Sequence, residues 1–539
     1  MESENKRSLY KYLPLILAVV LAAGIFIGSR MNVSFVPSRT FFSSKANQSN
    51  KLSDVLNYIQ NEYVDTVNQK NLVDISIEQM LQNLDPHSAY IPEENLQAAN
   101  EPLEGNFEGI GVEFHIQQDT IMVVTTISGG PSDMVGIQPG DRIVKVDGKN
   151  VAGIGITNND VFQKLRGPGG TKVKISVLRR TQPGLIDFNI TRGKIPIYSV
   201  DVFYMVDAKT GYMKVNRFAA TTFEPEFMNA LSKLKKQGMT QLILDLRGNP
   251  GGYLDAATKL ADEFLPDKKL IVYTQGKSRP KTVYEATKEG NFETGKVVVM
   301  IDQGSASAAE ILAGALQDWD RATIVGRRSF GKGLVQEQTI FPDGSALRLT
   351  IARYYTPTGR SIQKSYKGGY EEYQHEVDER FKNGEFENAD SIKEADTVKY
   401  TTPGGKIVYG GGGIKPDVFV PLDTSENSDY GNDLFRSNLI SQFAYDYVDK
   451  NRSSLKQYKD FKSYHDQFQI SDQLFDEFIL YAEKQGVKKN EAGIKKSGKQ
   501  IKLQLKAFIA RQVFGNNGFF PVINEADNTF IKALEIINQ

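Results

Sequence analysis

Two short stretches of the chain carry side chains that suit nucleophilic chemistry. Ser307 lies in the segment Gly304–Glu310, and Lys332 lies 25 positions later in Phe330–Gln336, each among glycines and small residues. The chain has no cysteine, and none of its four histidines stands in a triad-like pattern. A serine hydrolase built from this sequence would therefore use lysine rather than histidine as its base.

The residues around each side chain suit that chemistry. Ser307 follows a predicted strand and lies near the start of a helix predicted from Ser305 to Gln317, where backbone amides carry positive potential suited to an oxyanion. Lys332 can act as a base only when it is neutral, so apolar burial must lower its pKa well below about 10.4. Gln336 can hydrogen-bond the amine without adding charge. Ser305 is a rival nucleophile, and spacing alone does not separate the two serines.

Two glycine-containing motifs have competing interpretations. Gly251 and Gly252 follow a predicted strand at 241–247, either as a helix-entry turn or as backbone amides that face a scissile carbonyl, and beside a Ser–Lys pair we favour the second. The run Gly326–Lys332 fits the phosphate-binding pattern G-x-x-x-x-G-K, but Gly333 replaces the required Ser or Thr and a strand pattern follows. These departures argue against nucleotide binding.

Composition limits the classes of protein that remain. A chain of 539 residues predicts several domains rather than one core. The 65 basic residues balance the 65 acidic ones, so nothing indicates a nucleic-acid-binding protein. The absence of cysteine excludes disulfides, thiol catalysis and cysteine-ligated metals. We predict no metal and no cofactor.

The N-terminus predicts export. Residues 1–12 are basic and precede an apolar run, which we interpret as a transmembrane signal anchor at 13–31, followed by a polar linker at 32–50. The alternative is a cleaved signal peptide, but the apolar run continues past its poor cleavage motif. Because the positive charges come first, the remaining chain is expected on the outer side of the cell inner membrane, facing the periplasm.

The next regions predict a helical segment and then a β-rich module. Residues 51–104 show helical spacing, and His87 follows a break where it is a turn or capping histidine rather than a catalyst. Residues 105–193 alternate strands with glycine turns and resemble a PDZ domain, with a strand that opens at Gly109, a short helix at Asn159–Leu165 and a strand at Val173–Leu178. The segment Gly109, Ile110, Gly111 and Val112 matches the loop whose amides bind a C-terminal carboxylate beside a strand edge. A PDZ fold that serves only as a spacer is the alternative.

Strands, among them the apolar segment Lys296–Ile301, alternate with helices in residues 194–422, which predicts an α/β layered core. One helix is predicted at Glu224–Gln237. The stretch Tyr366–Lys399 is rich in charged residues, which predicts an insertion on the surface of the core. Residues 423–539 carry helical patterns without recognised chemistry. We expect this region to cover the active site, to form a homodimer or to bind an activating partner, and the sequence does not distinguish these roles.

Taken together and in order, these motifs resemble the carboxyl-terminal processing (tail-specific) serine proteases. The resemblance rests on five segments besides the PDZ region, namely Leu84–Tyr90, Asp245–Gly252, Gly304–Glu310, Phe330–Gln336 and Gly413–Asp417. It implies an α+β multidomain protein with a crotonase- or ClpP-like α/β core, an inserted β-rich PDZ domain, helical N- and C-terminal regions and an N-terminal transmembrane helix. One departure is Ala309, where many members carry a second serine.

The resemblance also implies roles for individual residues. Ser307 is the nucleophile, Lys332 is the base and Gln336 orients the lysine. Backbone amides of Ala308 and of the Gly251-Gly252 turn form the oxyanion hole, and which glycine donates stays open. Arg166, at the turn after the PDZ helix, is a regulatory contact that links the position of the PDZ domain to the active site, unless it is a solvated arginine.

The implied function is that of a serine endopeptidase that works without ATP or metal. Its PDZ domain would capture the unstructured C-terminal tails of exported proteins, mostly apolar ones, and the Ser307/Lys332 dyad would cleave them through an acyl-enzyme. The alternative is a catalytically silent PDZ scaffold that only binds peptides. A serine protease with a histidine-containing triad is a third hypothesis, and the positions of the four histidines do not support it.

Overall fold

Helices account for most of the N-terminal part of the described chain. The computed structural model describes residues 14–15, 17–23, 48–127, 129–180, 182–287, 290–392 and 398–539. The chain divides into two compact units, residues 1–77 and residues 78–539. The elements up to the β-rich module are α1 (Gln48–Glu62), α2 (Gln69–Gln82), β1 (Ala89–Ile91) and α3 (Glu93–Glu104).

The predicted membrane anchor is only partly described. Residues 14–15 and 17–23 are helical and exposed, and the rest of the run predicted at 13–31 lies outside the described residues. Within the ranges given above, no helix has both the length and the apolar character that a membrane crossing needs.

Residues 105–193 form an antiparallel sheet with two short helices. The elements are β2 (Asn106–Gly109), β3 (Val112–Gln117), β4 (Thr120–Thr126), α4 (Pro131–Met134), β5 (Arg142–Val146), β6 (Lys149–Asn150), α5 (Asn158–Leu165), β7 (Lys172–Leu178) and β8 (Leu185–Thr191). The strand order β3-β4-β5-β7-β8 leaves β3 at an edge. Alternate side chains such as Ile121, Val123 and Ile175 form the core of this module, as period-2 strands require.

The remaining part up to residue 422 is the α/β core. In chain order its elements are β9 (Gly193–Pro196), β10 (Val202–Met205), β11 (Thr210–Lys214), α6 (Met228–Lys236), β12 (Gln241–Asp245), α7 (Leu254–Asp262), β13 (Leu270–Gln275), β14 (Thr282–Glu285), β15 (Lys296–Ile301), α8 (Ala308–Asp318), β16 (Thr323–Gly326), β17 (Leu334–Ile340), β18 (Ala346–Tyr355), α9 (Gly369–Lys382), β19 (Lys399–Thr401), β20 (Ile407–Tyr409) and β21 (Val418–Phe419).

One six-stranded sheet positions the residues of interest. Its order is β10-β11-β12-β15-β16-β21, and the strands from β11 to β21 run parallel. Helices α7 and α8 join the main hydrophobic core on one face of this sheet. Since the carboxyl ends of parallel strands meet at one edge, the loops after β12, β15 and β16 come together there. A second sheet, ordered β1-β18-β13-β14 with β17 beside β18, supplies the hairpin that carries Gln336.

Three of the predicted elements differ from the structure. The helix predicted to begin at Ser305 begins at Ala308. The helix predicted from Glu224 begins at Met228, because Glu224 has an extended conformation (φ −122°, ψ 130°) before Pro225 in a π-helical turn. The strand predicted to open at Gly109 is broken, because Ile110 and Gly111 form a loop between β2 and β3.

The C-terminal region is helical, as expected. Its helices are α10 (Asp429–Arg436), α11 (Leu439–Leu455), α12 (Phe461–Gln467), α13 (Asp472–Lys484), α14 (Glu491–Phe514), α15 (Asn516–Asn524) and α16 (Asn528–Asn538). The six helices from α10 to α15 share a hydrophobic core, while Phe530 and Ile537 of α16 cover the face of the parallel sheet opposite α8. Helix α11 contacts the β-rich module, where Tyr445 Oη donates a hydrogen bond to Val123 O at 2.9 Å.

Candidate active site

Ser307 occupies a strained turn between β15 and α8. Its backbone has φ 54° and ψ −114°, a combination that costs a non-glycine residue about 1–3 kcal/mol and tends to occur at functional sites. The side chain is half-buried. Within the described chain, no hydrogen bond joins Ser307 Oγ to Lys332 Nζ, so the hydroxyl is not engaged with Lys332 in this state.

Ser305 is engaged in hydrogen bonds between two loops. Its side chain is fully buried, and Oγ donates to Leu246 O at 2.8 Å and accepts from Asp302 N at 3.0 Å. Both functions of the hydroxyl are therefore used to join the loops after β12 and β15. The two serines, which their spacing in the sequence did not distinguish, differ in the structure because Ser305 is fully buried whereas Ser307 is half-buried.

Lys332 lies in the loop between β16 and β17, with its amine turned toward the second sheet. Its Nζ donates to Gln336 Oε1 at 3.1 Å, and Gln336 Nε2 donates in turn to His87 O at 2.5 Å. The strand β17 follows this lysine directly, so the phosphate-loop alternative lacks the helix that it requires. His87 takes part through its backbone carbonyl, in the bend where it was expected as a turn histidine.

Burial makes Lys332 easier to deprotonate. Desolvation is the largest cause that lowers its pKa, and the charge of Arg348 lowers it further, against the opposing charges of Asp85 and Glu310. Among the described residues no carboxylate forms an ion pair with the amine, so its one hydrogen-bonding partner is the neutral amide of Gln336. Burial also lowers the pKa of His87, to about 4, so this imidazole is uncharged at neutral pH.

The carboxylate of Glu310 joins the segments that carry Ser307 and Lys332. Its Oε2 accepts the backbone amides of Ser307 at 2.9 Å and of Lys332 at 2.8 Å. Its Oε1 accepts the Ser329 hydroxyl at 2.5 Å and the Gly331 amide at 2.7 Å. Burial raises the pKa of Glu310, and these four donors oppose that rise. No role for Glu310 was predicted from the sequence, although the capping-box spacing from Ser307 to Glu310 is a local signal for it.

The fully buried side chain of Tyr354 joins the same two segments through their backbone carbonyl groups. Tyr354 Oη lies 2.8 Å from Lys332 O and 3.1 Å from Ser307 O, and it can donate to either. Tyr354 comes from β18, far along the chain, and no local pattern marks it. The backbones on both sides of the candidate dyad are thus held by two buried side chains.

The Gly251-Gly252 turn lies against Ser307. A Cβ added to Gly251 would fall 2.7 Å from Ser307 Cβ and 2.8 Å from Ala308 N, and its φ of 96° also requires glycine. The amide of Gly251 is already used, because it donates to Asn249 Oδ1 at 2.8 Å. Within the described residues, neither Gly252 N nor Ala308 N has a hydrogen-bond acceptor. Of the three predicted oxyanion donors, the structure leaves these two amides available.

The loop between β2 and β3 is shaped as a nest of amides. The carbonyls of Ile110 and Gly111 accept hydrogen bonds from Ser132 N and Ile127 N, each at 3.0 Å. Gly111 has φ 74°, and in the described part of the chain the amides of Ile110 and Gly111 have no acceptor. Gly109 ends β2, while Val112 begins the edge strand β3. Unoccupied amides can bind a C-terminal carboxylate, and the neighbouring strand edge can pair with the extended peptide that ends in it.

Arg166 is not a solvated arginine. It caps α5, and its Nη1 donates to Glu101 Oε2 of α3 at 2.6 Å. Its guanidinium also lies 4.5 Å from the ring centre of Phe107 and 4.8 Å from that of Phe162. The contact therefore joins the helix of the β-rich module to α3, which precedes that module in the chain.

The charged stretch expected as a surface insertion packs against the site instead. Tyr373 of α9 is buried, and its Oη lies 2.7 Å from His87 Nε2. Arg380 of the same helix is also buried and donates to Ser329 O at 3.1 Å. Buried Glu385 pairs with Arg380, whereas Glu371, Glu372 and Glu379 are exposed, and the many charged side chains of the stretch are the reason that composition alone suggested a surface position.

No metal-ligating cluster of His, Cys, Asp or Glu side chains occurs in the ranges that the structure describes.

Comparison with known proteins assigns most of the chain. The model of peptidase family S41 matches residues 209–371, and that of the PDZ domain matches residues 122–179. Residues 28–95 match the family described as the activating protease CtpB N-terminal domain, and residues 430–515 match a family of unknown function.

Individual relatives agree with these matches. The chain is 35% identical over 360 residues to the carboxy-terminal processing protease CtpA of Bacillus subtilis, a match that covers 67% of this chain and 76% of that protein. It is 36% identical over 352 residues to a carboxy-terminal-processing protease of Bartonella bacilliformis, with 64% and 80% covered. The solved photosystem II D1 C-terminal processing protease is 26% identical, with a TM-score of 0.36, over 68% of this chain and 86% of that one.

Proposed function

The chain belongs to peptidase family S41 and is a carboxy-terminal processing serine protease, and we propose that Ser307 is its nucleophile and Lys332 its base. The observation that carries this proposal is the Glu310 carboxylate, which holds the backbones of Ser307 and Lys332 side by side. The buried lysine, hydrogen-bonded to a neutral amide, supplies the second requirement, a low pKa.

The proposed reaction is acyl transfer through a covalent intermediate. Neutral Lys332 takes the proton of Ser307 Oγ as the oxygen attacks the peptide carbonyl carbon. The ammonium of Lys332 then gives that proton to the leaving amine, and the acyl-enzyme remains. Neutral again, Lys332 removes a proton from water as the water attacks the ester carbonyl carbon. The Lys332 ammonium then returns that proton to Ser307 Oγ as the C–O bond breaks and the acid is released. Substrate must bring Ser307 and Lys332 into hydrogen-bonding contact, as catalytic pairs often tighten only in the substrate complex.

Backbone amides of Ala308 and Gly252 would stabilise the oxyanion. Ala308 is the first residue of α8, so its N–H has no partner within the helix and lies at the positive end of the helix dipole. Gly251 serves a different purpose, since its own amide is bound to Asn249 and its missing side chain leaves room for Ser307. Each donor of this kind is worth about 10²–10³ in kcat.

The PDZ module would select the substrate. A free C-terminal carboxylate would bind the amides of Ile110 and Gly111 while the tail adds to the edge of β3. Phe114 of β3 and Phe162 of α5 pack with ring centres 5.6 Å apart beside this edge, which suits apolar tails. Arg166 would transmit the position of the module to α3 through Glu101.

Two further predictions of the sequence belong to this proposal. The apolar run at 13–31 would anchor the chain in the inner membrane and place the protease on the periplasmic side. Residues 423–539 would form a homodimer or bind an activating partner, and the contact of α11 with the PDZ module adds a role in positioning that module.

Cleavage of a protein with an unstructured apolar tail tests the dyad. We expect the full chain to cleave it without ATP or metal, Ser307→Ala and Lys332→Ala to lose cleavage, and Ser305→Ala to retain it with lower stability. Retained cleavage in Lys332→Ala would show that another group is the base.

A matched pair of substrates tests tail capture and the silent-scaffold alternative. A peptide with an amidated C-terminus should be cleaved more slowly than the same peptide with a free carboxylate, because the amide cannot carry the negative charge. If wild-type chain bound the free tail but cleaved nothing, the scaffold alternative would be favoured.

A further inference from the structure

Arg348 is a half-buried cation beside the site that lacks an acidic partner. It lies on β18 between β17 and β1, where it pairs with Gln338 on one side and Ala89 on the other. Its Nη2 donates to Gln338 Oε1 at 2.8 Å and to Asn100 Oδ1 at 3.3 Å. Across the described ranges, no carboxylate lies within salt-bridge distance of its guanidinium. Partly buried charges are normally paired, so this one calls for an explanation.

The sheet register places this charge close to Lys332. Gln336 pairs with Thr350 and Gln338 pairs with Arg348, so these four side chains stand on one face of the hairpin. Arg348 is thus the diagonal neighbour of Gln336, at about 7–8 Å between their Cα atoms. Since Gln336 Oε1 accepts the hydrogen bond of Lys332 Nζ, the amine of Lys332 and the guanidinium of Arg348 bind polar side chains on the same face of the hairpin.

Other charged groups near Lys332 act in different directions. Desolvation and then Arg348 lower the pKa of Lys332, whereas Asp85 and Glu310 raise it. Asp85 lies in the turn before β1, and its carboxylate is used by the amides of His87 and Ser88 and by two hydroxyls. His87 is neutral, as its pKa near 4 requires. Arg348 is therefore the cation that offsets the two carboxylates facing the lysine.

We propose that Arg348 is a positioning residue that keeps Lys332 unprotonated by holding a fixed positive charge on the same face of the β17–β18 hairpin. The identity of its partners supports this role, because Gln338 and Asn100 satisfy the guanidinium without cancelling its charge. A carboxylate at either position would form an ion pair and remove the effect. The proposal rests on the proposed function, in which neutral Lys332 is the base.

The pH dependence of kcat/KM on a tail peptide tests this role in the full chain. We expect Arg348→Gln to move the acid limb to higher pH by about one unit, within the range that a nearby charge produces, and so to lower the rate about tenfold on that limb. At high pH the rate should return close to that of wild type. Arg348→Lys keeps the positive charge, so the acid limb of kcat/KM should stay at its wild-type pH.

Gln338→Glu supplies a second variant that leaves Arg348 in place. The new carboxylate would neutralise the guanidinium, so the acid limb should again move to higher pH, even if Arg348→Gln folds poorly. Amine-reactive labelling of Lys332 in a Ser307→Ala background, followed by mass spectrometry across pH, measures the same shift without activity. Arg348→Gln should raise the pH of half-maximal labelling.

Two results separate failure of this inference from failure of the proposed function. Equal loss of rate at every pH in Arg348→Gln, with labelling of Lys332 unchanged, would overturn the inference and point to a contact with substrate. Full activity in Lys332→Ala would overturn the assignment of the base, and with it the premise of this proposal.

Discussion

Ser307 and Lys332 donate their backbone N–H groups to one and the same carboxylate oxygen, at 2.9 and 2.8 Å. The acceptor is Glu310, a fully buried residue of α8 whose other oxygen binds Ser329 and Gly331. Charge-assisted hydrogen bonds of this kind are stronger than neutral ones. Two segments that are separate in the chain are thereby held at a fixed distance by one side chain.

Replacing this carboxylate should damage both stability and activity. In Glu310→Gln a single side-chain oxygen must accept where two did, so some of the four donors lose their acceptor, at about 1–3 kcal/mol each. We expect a lower midpoint of urea unfolding and at least a tenfold loss in kcat/KM, since small displacements of catalytic groups cost about that much or more. Circular dichroism in urea and a cleavage assay measure the two effects.

Glu337→Gln is the matched control for Glu310→Gln. Glu337 is exposed on β17 and forms a surface ion pair with Arg279, a contact worth about 0–1 kcal/mol. Both properties should stay near those of wild type. An unchanged unfolding midpoint in Glu310→Gln would mean that the carboxylate does not tie the two segments together.

A carboxylate beside the lysine should shift the pH profile. In Gln336→Glu the negative charge stabilises the ammonium form of Lys332 and so raises its pKa. Because the base is the neutral amine, whose fraction rises with pH, the acid limb of kcat/KM should move up by about one unit or more. Gln336→Met removes the hydrogen bond without adding charge and should lower the rate with no upward shift. A limb that stays in place in Gln336→Glu would argue against Lys332 as the titrating group.

His87 should be dispensable as a titrating group. Its pKa of about 4 leaves the imidazole neutral above pH 5, and its link to Gln336 uses the backbone carbonyl. We expect His87→Gln to keep the shape of the pH profile and to change kcat/KM only a few-fold, the loss coming from the broken contact with Tyr373. His375→Gln, at an exposed position, is the control. Loss of cleavage comparable to that of Lys332→Ala would instead indicate a histidine base.

A methyl group at Gly252 should disable the oxyanion turn. Its Cβ would fall 2.0 Å from Phe218 O, a distance that no relaxed structure allows, and the residue has φ 143°. The turn must therefore shift, and kcat should fall about 10²–10³-fold, as for loss of one oxyanion donor. Gly248→Ala in the same turn meets nothing within 4 Å and should cost mainly stability. Equal activity losses in the two variants would not fit a specific role for Gly252.

Helix α11 should stabilise the PDZ module through Tyr445. Tyr445→Phe removes the hydrogen bond to Val123 O, worth about 1 kcal/mol, and should raise the rate of hydrogen exchange in β3 and β4. Tyr447→Phe alters the same helix at a residue whose hydroxyl has no hydrogen bond within the described chain, and exchange should not change. The same exchange rate in both variants would show that the contact does not restrain the module.

Sequence patterns predicted much of this molecule because they are local. Strand β15 has the predicted bounds, and α5 and β7 each begin one residue earlier than predicted, since apolar periodicity and turn residues determine where such elements lie. The predicted membership of the carboxyl-terminal processing serine proteases and the predicted PDZ domain are confirmed by the family and relative matches. The likeness of the core to crotonase or ClpP folds, the membrane anchor and the dyad stay predictions.

By itself, the sequence determined the protease class and the residues from which the site is built, because these depend on side-chain types at short spacings. The tertiary structure alone decided which of them are available. It engages the Ser305 hydroxyl in hydrogen bonds between two loops, and it engages the amide of Gly251 but not that of Gly252. It also brings Tyr354 and Arg348 to the candidate dyad from distant elements, and it joins the Lys332 segment to Glu310 of α8. The direction of a side chain, and its neighbours across a sheet, are set by packing between elements, which no local pattern records.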